Sequence, residues 1–131
     1  FAQIEAGVDV LYAERAGVVD AARESNIIAF GNVNDMNKEE NGTNVVVTSA
    51  LWHMESAINH AISSVKAGTY VAEDYKEWTM MQKGGASLAP YYEFDDQIAA
   101  DVKAKVAAIS SDITSGNFTV VVNDDEPKST Y

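Results

Sequence analysis

Three short clusters follow apolar runs and set a small residue and polar side chains beside an aromatic: residues 12–15, 31–37 and 49–52. That mixture suits a small organic ligand, because polar groups set orientation while a ring supplies contact area. The residue types fit a sugar or a base better than a metal. In the run Gly31-Asn32-Val33-Asn34-Asp35, the Asp35 carboxylate is able to accept two hydroxyl hydrogen bonds from a polyol. The same run also reads as an Asx-rich turn with no ligand.

Other chemistries find less support. His53 and His60 lie seven apart on an expected helix, about two turns from each other, too far for one metal without a further ligand between them. Glu39-Glu40, Asp95-Asp96 and Asp124-Asp125-Glu126 lack the spaced oxygens and central glycine of a calcium loop and read as solvated charge. Lys83-Gly84-Gly85 lacks the spacing of a phosphate-binding loop, and Gly7 and Gly17 build no dinucleotide fingerprint. Asn41-Gly42-Thr43 fits a glycosylation sequon, a triplet short enough to arise by chance. No serine sits in a nucleophile elbow. No enzyme, metal or cofactor is expected.

The elements that must position the three clusters follow from the apolar pattern. Residues 8–12, 27–30 and 44–48 are short β-rich runs, and 17–23 reads as a helix after the first of them. A long polar loop is expected over 32–43. Ser49 stands where it could cap a helix with Leu51, Met54, Ile58, Ala61, Ile62 and Val65 on one face, closed by Gly68. Residues 69–73 and 78–81 read as short strands. Asp95-Asp96 then opens a helix with the stripe Ile98, Val102, Val106, Ile109 and Ile113, ended near Gly116, and 118–122 reads as a last strand before a polar tail. Apolar strands alternating with helices predict an α/β fold around a buried parallel sheet. In such a sheet ligands collect beyond the carboxyl ends of the strands, where the three clusters fall.

Length and charge bound the partners. The chain has 131 residues, enough for one domain, and a formal charge of −11 that repels phosphate backbones and anionic lipid. Nucleic acid is not an expected partner. The absence of cysteine excludes disulfides and thiolate chemistry without fixing the compartment. No apolar run approaches the roughly 20 residues of a membrane span. The opening residues lack a signal peptide pattern and run directly into a strand, so the chain reads as a piece of a longer polypeptide.

Gly84-Gly85-Ala86-Ser87-Leu88-Ala89-Pro90-Tyr91, followed by an acidic helix and a Ser-Gly-Asn-Phe-Thr-Val close, strongly resembles the C-terminal part of the basic membrane protein family. These are substrate-binding lipoproteins of ABC importers, also called the purine nucleoside receptor type. Ala6-Gly7-Val8-Asp9-Val10-Leu11-Tyr12, Ala29-Phe30-Gly31-Asn32-Val33-Asn34-Asp35 and Val46-Val47-Thr48-Ser49-Ala50-Leu51-Trp52 look like the same family, in the same order and spacing. The likeness covers nearly the whole chain.

The resemblance implies a type I periplasmic-binding-protein fold, two α/β lobes with the ligand between them, of which this chain is about the second half. Residues 1–94 would form most of the C-terminal lobe, 95–116 a crossover helix packed on the missing lobe, and 117–131 a final strand and tail. With that lobe absent, the stripe on 95–116 needs a partner, so the fragment is expected to dimerise or exchange segments with a second copy. Asp35 matches the family aspartate implied to hold ribose hydroxyls, with Asn34 and Gly31 beside it. Trp52 falls where many members carry a lysine, offering a ring in place of a cation. The family's glycine-rich turn is replaced by Ala13-Glu14-Arg15-Ala16-Gly17, where Glu14 either accepts a hydrogen bond from a base or starts a helix favourably. Gly85 permits close backbone approach near the hinge, or simply serves a turn. The implied function is binding of a nucleoside or purine-like solute for an ABC permease, in a periplasmic or cell-surface protein that is lipid-anchored at full length. The alternative is a ligand-sensing domain of a transcriptional regulator or signalling receptor of the same fold.

Overall fold

The computed structural model describes residues 1–39, 41–121 and 125. The elements run α1 (Ala2–Glu5), β1 (Val10–Tyr12), α2 (Ala16–Glu24), β2 (Ile28–Val33), α3 (Met36–Glu39), β3 (Val46–Trp52), α4 (Glu55–Ala67), β4 (Ala86–Leu88) and α5 (Ala100–Ser115), with 3₁₀ segments at Tyr75–Thr79, Met81–Lys83 and Tyr92–Gln97. The four strands form one sheet in the order β1-β2-β3-β4. β1, β2 and β3 are parallel, with Leu11 opposite Ala29 and Gly31 opposite Ser49. β4 runs antiparallel to β3, pairing Ala50 with Leu88 and Trp52 with Ala86. The expected α/β class and parallel core are present, and the antiparallel edge strand is an addition to them.

The core forms on one face of the sheet. Val19 and Ala22 of α2 and Met36 of α3 join Leu11, Ala13, Ala29, Val45 and Val46 in a single buried cluster. Both crossover helices therefore lie on that face, as consistent crossover handedness requires when parallel strands follow one another in sequence. The opposite face is more open: Val10, Tyr12 and Ile28 are exposed, Tyr12 to 62 %.

Several local expectations change. Ser49 lies inside β3 and is buried instead of capping a helix. Ladder pairing with β2 claims residues 49–51, and α4 starts at Glu55. Its C-cap, Gly68, adopts the left-handed conformation expected of it. The loop expected over 32–43 is shorter, because β2 continues to Val33 and α3 occupies Met36–Glu39. Residues 69–73 form no strand and 78–81 fall in 3₁₀ turns. Asp95-Asp96 sits in a 3₁₀ turn, and the α-helix begins only at Ala100, ending at a left-handed Gly116. Residues 118–121 form no strand, while Val122 and the tail beyond 125, like Glu40 and Asp124, lie outside the described residues.

An apolar cavity of about 590 Å³ separates Val102 and Val106 on α5 from Ile28, Phe30 and Val47 on the open face. Among the described residues no helix is long and apolar enough to cross a membrane.

Candidate functional site

Because β1, β2 and β3 are parallel, Glu14, Asn34, Asp35 and Trp52 all follow or end strands at the same edge of the sheet. The path to Asp35 starts with a close approach. A Cβ at Gly31 would come 2.2 Å from Ser49 Oγ and 3.0 Å from Met36 Cβ, so only glycine lets β2, β3 and α3 meet there. The Ser49 hydroxyl uses that proximity to accept the Met36 backbone N–H at 3.2 Å.

Beyond Gly31 the chain makes a tight reversal. Val33 has φ +74°, and the Asn34 N–H donates to the Asn32 carbonyl at 3.0 Å, a γ-turn with positive φ at a β-branched residue. Backbone conformations of this cost concentrate where a ligand or switch needs them. The turn delivers Asp35 to the start of α3, where its carbonyl accepts the N–H groups of Lys38 and Glu39. Asn34 turns aside, its amide donating to Glu39 Oε2 at 2.9 Å.

The Asp35 carboxylate is half-engaged. Its Oδ2 accepts the Tyr92 hydroxyl at 2.5 Å, whereas Oδ1 is enclosed and has no hydrogen-bond partner. Lys38 Nζ stands 4.4 Å above the Tyr92 ring. The bond to Asp35 first, then burial, then the negative charges of Asp35 and Glu93, raise the Tyr92 phenol above its ordinary pKa. The neighbouring Glu93 Oε1 accepts the Asn37 amide at 2.9 Å and the Asn44 backbone N–H. Burial alone would raise the Glu93 carboxyl, but these donors and Lys38 bring it below its ordinary value. Tyr92 and Glu93 therefore clip the segment after β4 onto α3. Sequence reading missed both residues, since their partners lie 57 and 56 positions away.

Trp52 and Gly85 meet elsewhere. Together with Met54, Thr79 and Ala86 they line a cavity of about 390 Å³ at the end of β3 that does not include Asp35. Gly85 is held against the chain: a Cβ there would lie 2.1 Å from the Trp78 carbonyl oxygen. Trp52 is 56 % exposed, its ring available to a planar partner. Glu14 is exposed beyond β1. The expected residues thus separate into a polar group at Asp35 and an apolar one at Trp52.

The histidines are not on one helix. His53 precedes α4, and its Nε2 lies 2.7 Å from the Ser87 hydroxyl on β4. No described carboxylate bonds the other ring nitrogen, so the pair lacks the orienting group of a nucleophile–base relay and ties β3 to β4. His60, on α4, bonds Glu73 Oε1 at 2.6 Å and stacks on Trp78 at 4.0 Å. Among the described residues no group of three metal-ligating side chains is found.

No protein-family model and no curated protein sequence matches the chain. Solved structures do. A transcriptional activator of the comK gene from Bacillus halodurans is similar at 21 % identity and TM-score 0.65, over 89 % of this chain and 41 % of that one. An ABC transporter system solute-binding protein from Aeropyrum pernix K1 is similar at 18 % identity and TM-score 0.68, over 95 % of this chain and 43 % of the other. A second solute-binding protein of that system type, from Conexibacter woesei DSM 14684, matches at 20 % identity and TM-score 0.56, covering 92 % and 39 %. At these identities the likeness is one of fold. The chain spans about two-fifths of the length of the structures it matches.

Proposed function

We propose that this chain is one lobe of a non-enzymatic receptor that binds a nucleoside or purine-like solute and presents it to an ABC permease outside the cytoplasm. The observation that carries the reading is the incompletely satisfied Asp35 carboxylate, held by a strained turn at the carboxyl edge of a parallel sheet. Asp35 takes hydroxyls of the sugar and Trp52 stacks on the base; the fold shared with two solute-binding proteins supports the class. Closure of a second lobe over this edge would bury the ligand, and the permease would read the closed form.

The test is a thermal-shift series of the full-length protein containing this chain with adenosine, guanosine, free bases and ribose. A nucleoside at a hundred times its dissociation constant adds about 2.7 kcal/mol to stability. The expected result is a rise of several degrees with nucleosides that Asp35→Ala abolishes; a rise untouched by that substitution would remove Asp35 from the site. A second reading, a ligand-sensing domain of a transcriptional regulator, is favoured by the likeness to the comK activator. A helix-turn-helix encoded upstream in the gene would select it, and a lipoprotein signal there would select the importer.

A further inference from the structure

We propose that the Tyr92 hydroxyl is a built-in stand-in for a ligand hydroxyl: it occupies Asp35 while the site is empty, and a hydroxyl-bearing solute displaces it. The inference rests on the receptor reading above and adds to it a residue, Tyr92, and a movement.

The geometry supplies three independent reasons. The Tyr92 oxygen sits 2.5 Å from Asp35 Oδ2, the position a sugar hydroxyl would take as donor to the same carboxylate. Asp35 Oδ1 is enclosed without a donor, so the carboxylate retains acceptor capacity that nothing in the chain satisfies, and an arriving diol would supply it. Tyr92 holds its place at φ +47°, a left-handed backbone that a bulky L-residue disfavours. Release of the phenol lets that backbone relax, which offsets part of the lost bond.

The neighbouring contacts confine the motion. Glu93 stays fastened to Asn37 and Asn44, so the segment does not detach from α3. The ring swings out from under Lys38, and the turn it belongs to loosens. Two hydrogen bonds report that loosening: Phe94 N–H to the Tyr91 carbonyl at 2.9 Å, and Ile98 N–H to the Phe94 carbonyl at 3.2 Å. Because Tyr92–Gln97 leads directly into α5, occupation of Asp35 is transmitted to that helix. Tyr92 is thus a positioning residue that competes with ligand.

The experiment compares the full-length protein containing this chain with its Tyr92→Phe variant, by hydrogen exchange and by titration with adenosine and with 2′,3′-dideoxyadenosine, which lacks the 2′ and 3′ hydroxyls and keeps only the 5′ hydroxyl. In the free protein, Tyr92→Phe is expected to speed exchange at Phe94 and Ile98 several-fold. Adenosine is expected to do the same to the wild type, dideoxyadenosine to leave it unchanged, and adenosine to bind Tyr92→Phe about threefold to tenfold more tightly because one competing hydrogen bond is gone. Adenosine binding with equal affinity to both proteins, or binding without altered exchange, overturns the displacement while the receptor reading stands. No adenosine binding to either protein overturns both. Circular dichroism of Tyr92→Phe, which keeps the ring, separates local loosening from failure to fold.

Discussion

Glu93 is the acceptor on which the polar loop after α3 closes, and its role has a pH signature. Its carboxyl is held below the ordinary glutamate value, so the folded state favours the ionised form. The resulting stability is present above the unfolded pKa of about 4.3 and is lost as pH falls through the lower folded value. Glu93→Gln has no such ionisation. We expect it to lower stability at pH 7 by about 1–2 kcal/mol, the scale of a charge-assisted hydrogen bond, with the gap to wild type closing as pH drops below about 4 in urea melts. A constant gap would show that charge plays no part. Gly31 makes a second residue-scale case: Gly31→Ala places a methyl 2.2 Å from Ser49 Oγ and should cost roughly 1–3 kcal/mol by overpacking. Asp35 was legible in sequence as a carboxylate in a polar turn, whereas Gly31, read as the start of that turn, lies inside β2. The hold of Tyr92 on that carboxylate was not legible, because nothing local to Tyr91-Tyr92 marks its partner.

The segment between α4 and β4 shows how side chains can override local propensity. Its residues 69–73 and 78–81 are rich enough in β-formers to read as strands, yet each short run is ambiguous without a neighbour to pair with. His60 on α4 decides the matter. It stacks on Trp78, meets the Tyr75 ring edge-on at 5.8 Å and bonds Glu73, gathering the segment into 3₁₀ turns against the helix. Gly85 then lets β4 start directly beneath the Trp78 carbonyl. His60→Ala is expected to free Trp78 and shift tryptophan emission to longer wavelength; Trp52, the other tryptophan, is already exposed and should contribute little to the change. An unchanged spectrum would mean that the turns hold the ring without His60.

At the scale of the molecule, one face of a parallel sheet is covered and the other is open, with Val10, Tyr12 and Ile28 exposed beside the cavity under α5. Parallel sheets are stable when both faces are covered. The isolated chain is therefore expected to self-associate through this face, and the charge of −11 makes a further prediction. Salt screens the repulsion between two such chains, so sedimentation velocity should show association strengthening from low to high ionic strength, the reverse of an ionic interface. Tyr12→Lys should restore the monomer. What the sequence by itself determined was whatever neighbouring residues decide: the apolar runs of β1 to β3, the helices closed by Gly68 and Gly116, and the polar turn bearing Asp35. Tertiary structure alone decided that Ser49 serves a strand, that β4 runs antiparallel, that Asp35 answers to Tyr92, and that Trp52 shares a cavity with Gly85. The physical reason is range. Propensity and capping act over a few residues, whereas ladder pairing and side-chain hydrogen bonds join groups up to 57 positions apart, where only packing brings the partners together.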